Sequence, residues 1–173
     1  FNAASMTTLS PSILANLCAG LFILPFFLFS ATAGQLADKY EKTLLIKIIK
    51  ACEVGIMLIA AIGFHFQQLP LLLIALFLMG VHSSAFGPIK YAILPQTLTK
   101  NELVGGNALV ETGTSLAILI GSMLGGFLIA LKPDGRELVS WAVLMIAVIG
   151  FIVSWKIPRA ESANKDLVIN WNP

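Results

Sequence analysis

The chain alternates between long apolar stretches and short polar segments. An α-helix needs roughly 20 residues to cross the ~30 Å hydrocarbon core of a bilayer, and five apolar stretches approach or exceed that length. They predict membrane-spanning helices over residues 13–33, 48–66, 69–89, 104–131 and 138–157. The segments HFQQLP and KPDGRE predict tight turns after the second and fourth helices, and longer links follow the first and third. The pattern therefore predicts an all-α integral membrane protein.

The composition agrees with a membrane protein and excludes a soluble globule. Hydrophobic residues make up 57% of the 173 residues and charged residues only 12%, whereas about a quarter of the residues in a soluble domain are charged. So few charges cannot cover the surface of a water-soluble protein of this size. Cys18 and Cys52 lie in apolar stretches near opposite predicted membrane faces, and we expect both to be free.

Lysines and arginines are distributed unevenly between the two predicted membrane sides. Nine of the eleven fall in or directly beside the link after the first helix, the link after the third, or the tail after the fifth. Only Lys132 and Arg136 fall on the opposite side. Because basic residues accumulate in cytoplasmic loops, the two links and the tail are predicted to be cytoplasmic. Phe1 then lies outside without a preceding signal sequence, which predicts that another helix precedes it in a longer polypeptide.

No motif in the sequence indicates catalysis. The two histidines, His65 and His82, lie in different predicted helices without metal-ligand spacing, and the sequence contains neither a phosphate-binding loop nor a nucleophile elbow. No basic and aromatic surface indicates nucleic-acid binding. We therefore predict no enzyme activity in these residues, no catalytic residue, no metal, no cofactor and no nucleic-acid partner.

The fourth predicted helix carries two kinds of residue at intervals of four. Small residues, which favour close helix packing, recur at Gly113, Ala117, Gly121 and Gly125. On roughly the opposite side lie the polar residues Asn107, Glu111 and Ser115. Because a charged residue costs roughly 2.5–3.5 kcal/mol at the bilayer centre, Glu111 is expected to face the interior of the helix bundle. It could serve there as a hydrogen bond between helices or as part of a transport pathway.

The third predicted helix carries His82 near its middle and Lys90 just beyond its end. Gly80 and Gly87 permit close packing, and Pro88 is expected to weaken the end of the helix. His82 could be a structural residue or could contact a proton or a substrate. Lys90 could anchor the helix at the membrane surface or could contact a head group or a gate carboxylate.

The second predicted helix carries Lys50 and Glu53 near its start. The two residues are three positions apart, so their side chains are neighbours on one helix face. We expect a local ion pair in which the long lysine side chain reaches toward the membrane surface.

The segment GQLADKYEKT, residues 34–43, resembles the signature G-x-L-A-D-[RK]-x-G-[RK]-[RK] of the major facilitator superfamily, which joins that family's second and third helices. The matching residues are Gly34, Leu36, Ala37, Asp38, Lys39 and Lys42. Glu41 stands where the family has its second glycine, and Thr43 stands where it has a basic residue. The resemblance implies that Asp38 contributes to gating at the cytoplasmic side.

Three more segments resemble the bacterial lysophospholipid transporters of that superfamily. They are GPIKYAIL at 87–94, GNALVE at 106–111 and GSMLGG at 121–126. The resemblance covers essentially the whole chain and implies that its five spans correspond to helices 2–6 of a twelve-helix fold. Residues 1–157 would then form part of the N-terminal helical half, and residues 158–173 a cytoplasmic interdomain linker.

The resemblance implies flipping of lysophospholipids, such as lysophosphatidylethanolamine, across the bacterial inner membrane for re-acylation. The implied partners are the phospholipid bilayer, the lysophospholipid, helix 1 and the C-terminal half of the same protein, and in some relatives a fused acyltransferase. The candidate residues of the substrate path or gate are Lys90, Glu111, Asn107, Ser115 and His82. Two alternatives stay open at this point, a transporter of a small soluble solute and a non-transporting anchor for an acyltransferase.

Overall fold

The computed structural model describes residues 9–131 and 133–170, and these residues form six α-helices without a strand. The helices are α1 (Pro11–Lys39), α2 (Lys42–His65), α3 (Leu69–Ala92), α4 (Leu94–Thr97), α5 (Leu103–Ala130) and α6 (Gly135–Ser154). Five of them are long, and α4 is a single turn in the link between α3 and α5. The prediction of an all-α fold with five long helices is confirmed. Cys18 and Cys52 are both free, as expected.

Four of the long helices, α1, α3, α5 and α6, are long and apolar enough to cross a membrane. Helix α2 differs because its first half carries Lys42, Lys47, Lys50 and Glu53. With 24 residues it is still about 36 Å long at 1.5 Å per residue, which exceeds the hydrocarbon thickness. These charges of α2 therefore lie in its first twelve residues, and an apolar segment follows them.

Helix α3 is the centre of the bundle and packs against both α1 and α2, while α2 also packs against α6. Gly80 of α3 is buried where α1 crosses it. A Cβ atom at Gly80 would collide with the carbonyl oxygen of Phe22 and would lie 2.9 Å from the ring of Pro25. The predicted close packing at Gly80 is therefore confirmed, because only a glycine lets these two backbones approach so closely.

The turn between α2 and α3 is as tight as the sequence predicted. Gln67 adopts a left-handed φ of 55° directly after the helix end. The backbone N–H of Gln68 donates to the Gly63 carbonyl at 2.9 Å and that of Gln67 to the Phe64 carbonyl at 3.3 Å. These two bonds form a Schellman motif, which satisfies carbonyls that a helix end leaves free.

The link between α1 and α2 is much shorter than predicted. Helix α1 continues to Lys39 and α2 begins at Lys42, so only Tyr40 and Glu41 separate them. Gly34, Asp38 and Lys39 thus lie in the last turns of α1 and not in a loop. The apolar pattern reports where a helix crosses hydrocarbon, whereas the helix itself continues into water because the residues from 35 to 39 contain no glycine or proline.

Two other helix ends differ from the prediction. Helix α3 continues through Pro88 to Ala92, so Lys90 lies in its last turn and not beyond a weakened end. A proline removes one backbone N–H donor but does not stop a helix whose neighbouring turns are packed. Helix α6 begins at Gly135 and ends at Ser154, three residues before the predicted bounds at each end.

After α6 the chain stays at the lysine-rich end of the bundle as a non-helical segment, residues 158–170, here called the tail segment. The Thr43 hydroxyl donates to the Pro158 carbonyl at 2.8 Å and accepts from the Ala160 N–H at 2.8 Å. The Lys42 ammonium donates to the Glu161 carbonyl at 3.0 Å, and Lys42 is only 2% exposed. The tail segment therefore holds the start of α2 by buried hydrogen bonds.

The tail segment also contacts the ends of α1 and α4. Its Asn164 N–H donates to the Asp38 carbonyl at 2.9 Å, and its Glu161 carbonyl accepts from the Gln96 side chain at 3.0 Å. The two basic-rich links and the tail thus meet at one end of the bundle. At the other end the His65 Nδ1 lies 3.8 Å from the Glu137 Oε1. This grouping agrees with the division of the chain into two membrane sides.

Candidate functional site

Two consecutive residues of α3 reach two residues of α5, and we call these four the α3–α5 polar cluster. The Lys90 Nζ donates to the Thr114 hydroxyl at 3.2 Å. The Tyr91 hydroxyl donates to the Glu111 carboxylate. The Lys90 Nζ also lies 4.9 Å from the centre of the Tyr91 ring, within the range of a cation–π contact.

The helix geometry explains why these contacts occur in pairs. Glu111 and Thr114 are three residues apart on α5, so both project from one face. Lys90 and Tyr91 are adjacent in the last turn of α3, and their long side chains reach Thr114 and Glu111, which lie about 4.5 Å apart along α5. Lys90 is therefore directed toward α5, and it does not simply extend along the membrane surface.

The α3–α5 polar cluster can bind a charged group as well as join two helices. Thr114 takes one of the three N–H donors of the Lys90 ammonium, which leaves donors for an anionic oxygen. Glu111 is exposed even though its carboxylate accepts from Tyr91 of α3. An incoming ligand could therefore meet a cation and an anion at neighbouring positions.

Asn107 and Ser115 lie one helical turn to either side of Glu111 and are exposed. The Asn107 side chain donates to the Leu103 carbonyl of its own helix at 2.8 Å. The small residues of α5 do not pack as predicted within the described residues. A Cβ atom at Gly113, Gly121 or Gly125 would meet nothing within 4 Å, so the small-residue side of α5 is open in this chain.

His82 lies apart from the α3–α5 polar cluster, between α3 and α2. Its Nε2 is 3.4 Å from the Glu53 Oε2, and the same oxygen accepts from the Lys50 Nζ at 2.6 Å. The expected local pair of Lys50 and Glu53 is thus confirmed. The sequence showed no acidic neighbour for His82, because Glu53 comes from another helix. We call Lys50, Glu53 and His82 the polar triad.

The signature residues at the lysine-rich end have different environments. Lys42 is buried under the tail segment, whereas the Asp38 side chain is exposed. Asp38 is held through its backbone carbonyl, and the Lys39 Nζ lies 5.9 Å from the Tyr40 ring centre. A Cβ atom at Gly34 would meet nothing within 4 Å. Lys42 therefore makes a buried hydrogen bond to the tail segment, whereas no neighbouring atom requires a glycine at position 34.

A large apolar cavity of about 700 Å³ lies among all five long helices. Its lining includes Leu14, Leu76, Met79, Gly126 and Val143. No charged residue lines it, and it lies toward the turn between α2 and α3. Met79 and Lys90 are eleven residues apart on α3, so the cavity is about 16 Å from the α3–α5 polar cluster along the helix axis.

Sequence reasoning found Lys90 and Glu111 but missed Tyr91 and Thr114. The only signal for Tyr91 was its place in the segment GPIKYAIL, and the only signal for Thr114 was its position three residues after Glu111. Among residues 9–131 and 133–170 no group of three or more histidine, cysteine or acidic side chains could hold a metal ion.

The long apolar helices define the chain as a multi-pass membrane protein. The sequence profile of the Major Facilitator Superfamily matches residues 3–168. The chain therefore belongs to the Major Facilitator Superfamily, as the signature near Asp38 predicted.

The chain is similar to proteins named lysophospholipid transporter LplT. The one from Escherichia coli (strain K12 / DH10B) is 34% identical over 153 residues, which are 88% of this chain and 36% of the relative. The one from Klebsiella pneumoniae (strain 342) is 34% identical over 145 residues, 83% of this chain and 34% of the relative. The one from Serratia proteamaculans (strain 568) is 30% identical over 152 residues, with shares of 88% and 35%.

The chain spans about a third of the length of these curated relatives. No solved structure matches it. The matched relatives bear out the resemblance to lysophospholipid transporters that the segments around Lys90 and Glu111 indicated.

Proposed function

We propose that this chain is part of a membrane transporter that moves lysophospholipids, and that it forms helices 2–6 of a twelve-helix protein. The observation that carries the proposal is the α3–α5 polar cluster, in which Lys90 and Glu111 are held on facing helices. The relatives named as lysophospholipid transporters support the same substrate class. Neither a small soluble solute nor a role as a mere anchor is favoured by any contact in the structure.

The chemistry of the cluster suits the head group of a zwitterionic lysophospholipid. Lys90 would contact the phosphate as a point charge. Glu111 would accept from a head-group amine after its bond to Tyr91 opens. Asn107 and Ser115 would offer further hydrogen bonds one turn away on the same helix face. The single acyl chain would stay against apolar helix surface, where it avoids water.

The remaining transporter would complete the bundle. A facilitator pathway lies between two helical halves, and this chain would supply most of one half. The open side of α5 and the apolar cavity would pack against a preceding helix and against the second half. We place the protein in the bacterial inner membrane, with the tail segment as a cytoplasmic linker between the halves. The fused acyltransferase that the resemblance implies stays a prediction, as does inward movement for re-acylation.

A chimeric transporter tests the proposal. This chain would replace the matched residues of the Escherichia coli relative, and uptake of a labelled lysophospholipid would be measured in cells that lack that relative. We expect uptake above the empty-vector level, because the grafted helices would supply the same head-group contacts. The chain alone in liposomes serves as the control and should show no movement above background.

Two outcomes would contradict the proposal. A chimera that is inserted in the membrane at normal levels but moves no lysophospholipid would remove the substrate assignment. Saturable lysophospholipid movement by the chain alone would contradict its role as one part of a larger pathway. Immunodetection of the chimera in membranes separates loss of transport from loss of protein.

A further inference from the structure

The polar triad is a second charged site, and the proposed lysophospholipid path does not use it. His82 is 9% exposed, and its side chain stacks on the Phe86 ring with centroids 6.0 Å apart. Within the described residues neither ring nitrogen makes a hydrogen bond of good geometry. The Glu53 Oε2 lies 3.4 Å from the His82 Nε2, and it accepts from the Lys50 Nζ at 2.6 Å. A buried imidazole without a hydrogen bond is costly, so its persistence requires an explanation.

One carboxylate in this site faces two groups that can each carry a positive charge. With a neutral imidazole, the charges of Lys50 and Glu53 cancel. Protonation of His82 adds a positive charge that only Glu53 can balance at close range. The Glu53 carboxylate would then face two cations. Of the two, the Lys50 ammonium is the one that can move away, because its side chain is long and flexible.

We propose that the polar triad is a proton-binding site. When His82 gains a proton, the Glu53 carboxylate exchanges its Lys50 partner for the imidazolium. The proton is delivered by a hydronium ion and adds to the ring nitrogen that carries the lone pair, so one O–H bond breaks, one N–H bond forms and a neutral water is released. The Nε2–H then donates to the Glu53 Oε2, and Lys50 is released. The proton makes the total charge of the site positive.

The Lys50 ammonium has other neighbours besides Glu53. Its Nζ lies 5.0 Å from the Phe86 ring centre and near Gly150 of α6, where an added Cβ atom would be 3.6 Å away. Lys50 is eight residues from the start of α2, about 12 Å along the axis, and its side chain is 21% exposed. A lysine at that depth can extend its ammonium toward the lysine-rich end.

The other charged groups on the packed helices lie farther along the chain. Helix α6 has none between Glu137 and Lys156, and α1 has only Asp38 and Lys39 in its last turns. Helix α3 itself adds Lys90, two turns from His82, and α2 adds Lys47 and Lys42, one and two turns before Lys50. Glu53 is thus the acidic side chain that faces His82 from the helix packed against it.

Imidazole nitrogen NMR tests the proposal directly. The chain contains two histidines, so ¹⁵N-histidine labelling gives one signal set for His82 and one for His65, and His65→Gln assigns them. The protein would be placed in lipid nanodiscs and titrated from about pH 5 to about pH 9, which spans the ordinary range of histidine. The measured quantity is the pH midpoint at which His82 gains its proton.

The two partners of His82 should shift that midpoint in opposite directions. Lys50→Met removes the competing cation and should raise the midpoint by at least about one pH unit, a tenfold gain in proton affinity. Glu53→Gln removes the balancing anion and should lower it by at least about as much. His65, which is 65% exposed and lies near Glu137, is the internal control and should keep its midpoint in both variants.

Either of two results would overturn the proposal. One is a His82 midpoint that Lys50→Met leaves unchanged, or a His82 that stays neutral throughout in that variant. The other is a shift in the same direction for both variants. If Glu53→Gln does not fold, Lys50→Met retains the carboxylate for His82 and decides the question alone. The measurement needs no transport, so its failure is independent of the proposed function.

Discussion

Tyr91 donates the hydrogen of its hydroxyl to the Glu111 carboxylate, and this contact joins the last turn of α3 to α5. Helix α5 has no buried residue and otherwise packs mainly against α6. Because few other contacts hold α5, this hydrogen bond has a larger share in fixing its position than it would have in a densely packed core. It also holds Glu111 beside Lys90, which the proposed lysophospholipid contact requires.

Tyr91→Phe should loosen α5 because it leaves the Glu111 carboxylate without this partner. The effect is limited because both side chains are exposed and water can replace part of the bond. We expect lower thermal stability in nanodiscs and faster backbone hydrogen exchange in α5. In a double-mutant cycle, Glu111→Gln should cost much less in the Tyr91→Phe background than in the wild type.

The matched control for that cycle is Tyr40→Phe, which removes the hydroxyl of the chain's other tyrosine in the link between α1 and α2. It should leave hydrogen exchange in α5 unchanged. Strictly additive effects of Tyr91→Phe and Glu111→Gln would show that the two side chains are not coupled.

Two glycines of α3 should respond in opposite ways to alanine. Gly80→Ala places a methyl group against the Phe22 carbonyl and the Pro25 ring, and overpacking of this kind costs about 1–3 kcal/mol. Gly87→Ala meets nothing within 4 Å and should be neutral or stabilising by up to about 1 kcal/mol, because alanine favours helix. The unfolding free energies of both variants, measured under one condition, check this. Equal costs at the two positions would contradict the observed approach of α1 to α3.

The tail segment should detach when its buried contacts are removed. Lys42→Met deletes the bond to the Glu161 carbonyl, and Thr43→Val deletes two bonds, to the Pro158 carbonyl and the Ala160 N–H. Each unsatisfied buried group costs about 1–3 kcal/mol. Limited proteolysis should cut the segment after α6 faster in both variants. Lys39→Met is the control, since its ammonium makes a distant ring contact. Equal cleavage of all three variants would contradict the role of the Lys42 and Thr43 contacts in holding the tail segment.

Glu102 should make the start of α5 sensitive to acid. Its carboxylate accepts from the Thr99 hydroxyl at 2.7 Å and the Thr99 N–H at 2.9 Å. These bonds lower the pKa of Glu102 below its ordinary value of 4.5. A lowered pKa in the folded state means that the stabilisation is complete above 4.5 and is lost as the pH falls through the folded value.

Hydrogen exchange in the first turn of α5 checks this when the wild type and Glu102→Gln are compared from about pH 6 to about pH 3. The difference between the two proteins should be largest at the higher pH and should vanish in acid. The control is Glu161→Gln in the tail segment, which should follow the wild type. A difference that grows toward acid would contradict the sign of the pKa shift.

The helices were predictable from the sequence, whereas the contacts between them were not. Apolar length identified all five long helices, because a helix in hydrocarbon must bond its own backbone. It did not identify the ends of α1 and α2, because both helices continue into water. The pairings of Tyr91 with Glu111 and of His82 with Glu53 depend on how helices far apart in the chain are rotated against each other. Packing of residues such as Gly80 and Pro25 sets that rotation, and no local pattern reports it.

The most direct test of the account is lysophospholipid uptake by the chimeric transporter with Lys90→Gln and, separately, Lys100→Gln. Lys90 contacts Thr114 in the proposed head-group site, whereas Lys100 is exposed in the link between α4 and α5. Loss of a charge-assisted contact worth about 1.5–3 kcal/mol should reduce uptake by Lys90→Gln at least about tenfold at matched expression. Lys100→Gln should keep the level of the unmodified chimera. Equal and small losses in the two variants would show that Lys90 is only an anchor and would contradict the assignment of the substrate path to the α3–α5 polar cluster.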